Sequence, residues 1–203
     1  MFSLRLVPAL VFLMACALAQ QPAQPLPAQQ SVAGVVAQSE QPITVETAKL
    51  LVAAQFGPAY TLVPGFPPIT ADLDGDAAED LVLVGTAKDP LVDEMGFGYK
   101  TIDPYNTYFG FGDPRVTMQF VAQEGEPRYL LIVHSWRLAQ PKAKFVVINL
   151  PFEKIALTRA LVGKKKKAKV IPAISLEDRT GMSSDLYWAG KQWKWMDKTL
   201  SIE

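Results

Sequence analysis

Residues 72–85 read DLDGDAAEDLVLVG and join an acidic loop directly to an apolar segment. The run LVLVG at 81–85 predicts a short β-strand, because Leu and Val side chains favour extended backbone. A second β-rich run, at 59–64, precedes the loop. The loop itself holds five carboxylates in nine residues and neither Lys nor Arg, so its charges repel one another unless a cation neutralises them.

The side chains at positions 1, 3, 5 and 9 of this loop are all carboxylates. A tightly wound loop can direct such side chains to one point, and the residue at position 7 can add its backbone carbonyl. Ca²⁺ takes about six to eight oxygen ligands at roughly 2.3–2.6 Å. The spacing therefore predicts a calcium site with the ligands Asp72, Asp74, Asp76, Ala78 and Asp80. The alternative is a solvated Asp-Gly turn between two strands.

The loop resembles the calcium loop of FG-GAP/VCBS-type repeats, whose pattern is roughly D-x-[DN]-G-D-G-x-x-D before an apolar strand. The matching residues are Asp72, Asp74, Gly75, Asp76, Asp80 and Leu81. This resemblance covers a single copy of about 15 residues and implies calcium binding. It does not imply a propeller, which needs several repeats to close. Ala77 stands where the pattern has Gly, and a positive φ there would cost about 1 kcal/mol or more.

Composition excludes several classes of function. The 203 residues carry 20 Lys+Arg and 20 Asp+Glu, and zero net charge argues against a nucleic-acid partner. One Cys and one His exclude an intrachain disulfide and a zinc site built from Cys and His clusters. The hydrophobic fraction of 49% suffices for a well-buried core.

The first 19 residues read MFSLRLVPALVFLMACALA. Arg5 precedes an apolar run that is too short to span a bilayer, and Ala17 and Ala19 form an A-x-A cleavage site. We therefore predict a signal peptide at 1–19, export to the periplasm or the medium, and no transmembrane segment. The alternative is a lipoprotein anchored through Cys16, because LMAC at 13–16 resembles a bacterial lipobox.

The remaining chain divides into a tether and one domain. Residues 20–42 contain seven Gln, four Pro and one charged residue, which predicts a disordered segment. Residues 43–203 then form a single α+β domain. We expect one N-terminal helix packed on a mainly antiparallel β-sheet, with a C-terminal Trp-rich hairpin.

The helix and the hairpin have the clearest local signals. Thr44 suits a helix N-cap and Gly57 a helix end, and an apolar stripe lies between them at Val45, Leu51, Val52 and Phe56. The hairpin reads LYWAGKQWKW at 186–195, with Gly190-Lys191 as a two-residue loop. This register places Trp188 opposite Trp193, and Leu186 opposite Trp195.

The segments between them have weaker signals. Further strands are predicted at 116–120, 129–136, 145–150 and 170–176, a helical turn near 152–162, and an irregular connection at 87–114. His134 is predicted to be a hydrogen-bonded core residue on the face of Leu130, Ile132 and Trp136, with a catalytic base as the alternative. The lysines at 164–167 indicate a solvated loop, or a weak contact with an anionic surface.

Together these features favour an exported, non-enzymatic calcium-binding module of the bacterial envelope or cell surface. Its partner would be a protein or glycan of the envelope. A first alternative is an assembly partner that binds through an exposed face of Trp188, Trp193 and Trp195, which could also be core. A second is a secreted hydrolase whose carboxylate pair comes from the acidic loop, or from Asp93, Glu94 and Asp103.

Overall fold

Two β-sheets and three short helices build the part of the chain that the computed structural model describes, residues 43–111, 127–163 and 167–198. The predicted signal peptide, the tether, the strand at 116–120 and Lys164 to Lys166 lie outside the described residues. The fold mixes helix and sheet and is mostly β. The prediction of a single sheet is therefore wrong, because the described residues form two sheets.

In chain order the elements are α1 (Val45–Phe56), β1 (Thr61–Leu62), β2 (Ile69–Ala71), β3 (Asp80–Thr86), α2 (Glu94–Phe97), β4 (Lys100–Ile102), α3 (Pro104–Tyr108), β5 (Tyr129–His134), β6 (Ala143–Val147), β7 (Lys154–Val162), β8 (Lys169–Glu177), β9 (Ser183–Trp188) and β10 (Trp193–Asp197). The first sheet has the order β1-β3-β5-β6-β4, with β2 also paired to β3. The second sheet is the meander β10-β9-β8-β7. All pairs are antiparallel except β4 with β6.

Strands β3 and β5 form the buried centre of the first sheet, because both are continuous apolar runs. Alternate residues face opposite sides of a strand. Val82 and Val84 pack towards the second sheet and contact the cluster of Ile174 and Leu186. On the other side, Leu81, Leu83 and Val133 pack with helix α1. The first sheet thus lies between the helix and the second sheet.

Helix α1 lies where its caps predicted it. The side chain of Thr44 accepts a hydrogen bond from the Thr47 N–H at 3.2 Å, and Gly57 ends the helix with φ at +95°. Its buried stripe is Ala48, Val52 and Phe56, which follow one another at i, i+4 and i+8. The predicted stripe was wrong at Val45, which is exposed, and only partly right at Leu51, which is half-buried.

The Trp hairpin has the predicted register. Trp193 pairs with Trp188 and Trp195 with Leu186, and the Ala189 N–H donates to the Gln192 carbonyl at 2.9 Å. Gly190 has φ at +83°, as the first loop residue of a type II′ turn requires. Trp193 and Trp195 are buried whereas Trp188 is half-buried. The three tryptophans therefore do not form an exposed face.

The helical turn expected near 152–162 is wrong. Residues Lys154–Val162 form strand β7, which pairs with β8 over nine residues. The alanines and leucines of this segment suit either structure, and the long partner strand decides for the sheet. The connection at 87–114 is also more regular than expected, since it contains α2, β4 and α3.

Candidate metal centre

The acidic loop connects β2 to β3 and winds tightly around the Asp72 carboxylate. This carboxylate accepts hydrogen bonds from the backbone N–H groups of Gly75 at 2.7 Å, Asp76 at 3.2 Å and Ala77 at 3.0 Å. Gly75 and Ala77 have φ at +80° and +67°. Such a backbone is unfavourable for Ala, so the loop carries the strain that the Gly-to-Ala difference predicted for this position.

The next two aspartates of the loop repeat this pattern at shorter range. Oδ1 of Asp74 accepts from the Asp76 N–H at 3.1 Å, and Oδ1 of Asp76 accepts from the Ala78 N–H at 2.8 Å. One oxygen of each carboxylate is thus used inside the loop. The second oxygen of each, Oδ2, contacts the end of β5 or the turn between β5 and β6.

Asp80 fastens the loop to strand β5. It is fully buried, and its two oxygens accept hydrogen bonds from the backbone N–H groups of Leu73 at 2.9 Å and Ser135 at 2.8 Å. Burial raises the pKa of the Asp80 carboxyl, and the two N–H donors oppose that rise. Asp80 therefore ties together the loop and the end of β5.

Lys142, in the turn between β5 and β6, places its ammonium between two of the carboxylates. Its Nζ lies 2.8 Å from Oδ2 of Asp74 and 2.9 Å from Oδ2 of Asp76. This contact is the largest cause of the low pKa of Asp76, about 2, and it raises the pKa of Lys142. The loop has no basic residue of its own, but the fold places Lys142 against these two carboxylates.

His134 approaches the loop from the end of β5. Its Nδ1 lies 2.9 Å from Oδ2 of Asp74 and 3.8 Å from Oδ1 of Asp80. The ring is buried against Phe145 and Trp188. This matches the predicted core histidine. Trp136 differs from its prediction, because it lies beyond β5 and packs against the cluster on the helix side.

Glu79, the fifth carboxylate of the loop, belongs to a separate contact. Its Oε2 accepts hydrogen bonds from Nε of Arg137 at 2.6 Å and Nε1 of Trp136 at 3.2 Å. The Arg137 guanidinium also lies over the Trp136 ring, 4.4 Å from its centroid. Arg137 therefore neutralises Glu79, and this contact does not involve the other four carboxylates of the loop.

Two overlapping groups of residues could hold a metal ion. Within each group, the ligand atoms lie within 4.8 Å of one another. The first comprises Asp72, Asp74 and Asp76, and the second comprises Asp74, Asp80 and His134. Asp74 is common to both. The predicted ligands therefore lie at one place but in two sets. Ala78 contributes its N–H to Asp76, and nothing in the structure assigns its carbonyl to either set.

The two sets suit different cations. A set of carboxylate oxygens alone favours hard cations such as Ca²⁺, Mg²⁺ or Mn²⁺, whereas imidazole in the second set also suits Zn²⁺. His134, Ser135 and Lys142 were absent from the predicted site, because they lie 55–68 residues after the aspartates they contact. The spacing of residues within the loop cannot indicate contacts with residues so far along the chain.

Two of the three other carboxylates considered for hydrolysis, Asp103 and Glu94, have structural contacts, whereas the Asp93 side chain makes no cap hydrogen bond at the start of α2. Asp103 is buried, caps α3 through the Asn106 N–H at 2.9 Å, and accepts further hydrogen bonds from the side chains of Asn106 and Asn149. Glu94 accepts from the Thr101 N–H at 3.0 Å. Both side chains thus hold backbone in place.

Comparisons of this chain with protein-family models, with curated proteins and with solved structures gave no match. The likeness to FG-GAP/VCBS-type repeats therefore stays a resemblance of one loop. Among the described residues, no helix is both long and apolar enough to cross a membrane.

Proposed function

We propose that this protein is an exported, non-enzymatic calcium-binding module of the bacterial envelope or cell surface, which serves interaction or structure. The observation that carries the proposal is the convergence of Asp72, Asp74 and Asp76, whose carboxylate oxygens lie within 4.8 Å of one another. Three anionic groups so close together favour a cation between them. The signal peptide predicted at 1–19 supplies the exported part of the proposal.

The position of Lys142 supports a cation at this place. Its ammonium already lies between the carboxylates of Asp74 and Asp76, two residues of the group that could hold a metal. Calcium fits better than magnesium, because a loop of carboxylates adapts to variable coordination more easily than to a strict octahedron. The strain at Ala77 and the competition from Lys142 both favour modest affinity, which is sufficient outside the cell, where calcium is roughly millimolar.

A thermal melt tests calcium binding. With a Kd of about 10⁻⁴ M, 1 mM CaCl₂ should stabilise the protein by about 1.4 kcal/mol, or roughly 2–4 °C, relative to chelator. MgCl₂ should give a smaller shift. Asp74→Asn should abolish the calcium shift, because Asp74 belongs to both ligand sets.

Glu79→Gln is the matched control for Asp74→Asn. It removes a carboxylate from the same loop, but one that contacts Arg137 and lies outside both ligand sets. This variant should keep the full calcium shift. Identical melts in chelator, CaCl₂ and MgCl₂, with no heat on calcium titration, would reduce the loop to an acidic turn.

The intact mass of the protein recovered from cells that express the full chain tests export. Cleavage should leave Gln20 as the first residue with no acyl chain. A mass that begins at an acylated Cys16 would instead make the protein a membrane-anchored lipoprotein.

A further inference from the structure

A cleft of about 680 Å³ lies between the β4–α3 segment of the first sheet and the Trp hairpin of the second. Its volume falls within the range of small-ligand sites, which is roughly 300–1,000 Å³. Aromatic side chains form much of its wall, including Trp188, Trp193, Trp195 and Tyr108. Tyr108 is 48% exposed and Trp188 is half-buried, so both have ring surface that a ligand can reach.

Three lysines, Lys100, Lys191 and Lys194, also line this cleft, and all three are exposed. None of them makes an ion pair with any residue in the described ranges, whereas Lys154 and Lys198 pair with carboxylates elsewhere. The carboxylate in the lining is Asp103, which is buried and already accepts hydrogen bonds from Asn106 and Asn149. The cleft therefore presents uncompensated positive charge.

The two threonine hydroxyls of the cleft wall are committed to the protein. The hydroxyl of Thr101 donates to the Pro90 carbonyl at 3.2 Å, and that of Thr107 donates to the Asp103 carbonyl at 2.6 Å. The three lysine ammonium groups are thus the charged donors that the cleft offers a ligand, beside the exposed Gln192 side chain. A suitable ligand has anionic groups at its edge and an apolar face of ring size, which can lie against Trp188 or Tyr108.

We propose that this cleft binds an acidic oligosaccharide, with sugar carboxylates on Lys100, Lys191 and Lys194 and the C–H face of a sugar ring on Trp188. The cleft is a second site and does not depend on calcium in the acidic loop. It names a chemical class for the envelope partner, namely a glycan that contains uronic acids.

Isothermal titration of the protein purified after expression of the full chain tests this inference, with trigalacturonate as the probe and maltotriose as its neutral counterpart. The titration is done in chelator at low salt, so that its outcome is independent of the calcium site. Trigalacturonate should bind and maltotriose should not, and added salt should weaken binding because it screens exposed charges. Absence of trigalacturonate binding, or equal binding of maltotriose, would overturn the proposal.

The variant K191Q/K194Q should weaken trigalacturonate binding by roughly 5- to 10-fold, since two exposed ion pairs are lost. The control K167Q/K169Q removes the same charge from the β7–β8 hairpin, outside the cleft, and should change affinity less than 2-fold. Equal losses in both variants would show a non-specific charge effect and overturn the proposal. The same holds if a hexaglutamate peptide binds more tightly than trigalacturonate, because β4 and β10 are edge strands in the described sheets and could pair with a peptide.

Discussion

The acidic loop at 72–80 and the Trp hairpin at 186–195 are stabilised in opposite ways. Asp74 in the loop contacts His134 and Lys142, which lie 60 and 68 residues downstream. The hairpin instead pairs Trp188 with Trp193, five positions away in sequence, and buries apolar surface. The loop therefore acquires its charge balance only when β3, β5 and β6 have paired, whereas the hairpin register follows from its own turn.

The two regions meet at His134. Its Nδ1 faces the Asp74 carboxylate, while its ring lies 4.9 Å from the Trp188 centroid and 5.5 Å from that of Trp193. Packing of the hairpin therefore fixes the orientation of a group that holds the loop.

Removing a buried indole should have the largest effect. Trp193 is 4% exposed, so we expect Trp193→Ala to lower the free energy of unfolding by about 3–5 kcal/mol in urea titrations. Trp188→Ala, at the half-buried partner position, should lose roughly half as much. Similar losses in the two variants, or a loss below about 1 kcal/mol at Trp193, would contradict a hairpin stabilised by burial.

Asp80 should have the largest effect within the loop. Asp80→Ala leaves the buried N–H groups of Leu73 and Ser135 without an acceptor, and each such group costs about 1–3 kcal/mol. We expect a loss of roughly 2–4 kcal/mol in chelator, measured by urea unfolding. Asp80→Asn should lose less, since it keeps one acceptor.

The control for Asp80 is Glu79→Ala, which breaks a partly exposed ion pair with Arg137 and should cost below about 1 kcal/mol. If this variant destabilises the protein as much as Asp80→Ala, the loop is held by its overall charge and not by the two backbone contacts of Asp80.

The parts of the fold that were predictable have local causes. The Thr44 side chain caps α1 from within its first turn, and Gly190 lies at a turn position that needs its positive φ. Strand β7 was missed because KIALTRALV fits helix and strand alike, and its assignment follows from pairing with β8. Two sheets replace one because 154–197 pairs only with itself among the described strands.

The candidate site likewise has a part that follows from local sequence and a part that follows from strand pairing. The mutual approach of Asp72, Asp74 and Asp76 follows from their spacing in a tight loop, and the structure brings them together. Lys142 and Ser135 were not predictable in this way, because the pairing of β3 with β5 and of β5 with β6 sets their positions. Asp80 was predicted to be a calcium ligand like the other aspartates. In the structure its oxygens accept hydrogen bonds from the backbone N–H groups of Leu73 and Ser135.

Lys142 links the acidic loop to the β5–β6 turn. Lys142→Met removes the ammonium that contacts Asp74 and Asp76, so calcium no longer competes with it. We expect calcium to bind roughly two- to fivefold more tightly, as measured by calorimetric titration. Lys154→Met breaks the distant pair with Glu177 and should leave calcium affinity unchanged. An unchanged affinity in Lys142→Met would argue that calcium does not use these oxygens.

The same variant should change the acid dependence of stability. The pKa of Asp76 falls from 3.8 to about 2, with Lys142 as the largest cause and the Ala78 N–H as the next. The ionised carboxylate therefore stabilises the fold above pH 4, and this contribution is lost as the pH falls towards 2. In chelator, Lys142→Met should therefore differ most from the wild type above pH 4 and least near pH 2. Urea unfolding at several pH values measures the difference, and a gap that widens on acidification would contradict the assigned pair.

Ala77→Gly should change the free energy of unfolding least, but in the opposite direction to the same substitution at Ala78. Its φ of +67° costs Ala about 1–2 kcal/mol, of which Ala77→Gly recovers part, since Gly also adds about 0.4–1 kcal/mol of freedom to the unfolded chain. We expect a net gain of about 0.5 kcal/mol in chelator, measured by urea unfolding. Ala78 has no positive φ, so Ala78→Gly should lose stability by about 0.5–1 kcal/mol. Opposite signs at neighbouring alanines would locate the strain in one residue of the loop. Losses at both would mean that the loop does not hold Ala77 in a left-handed conformation in solution.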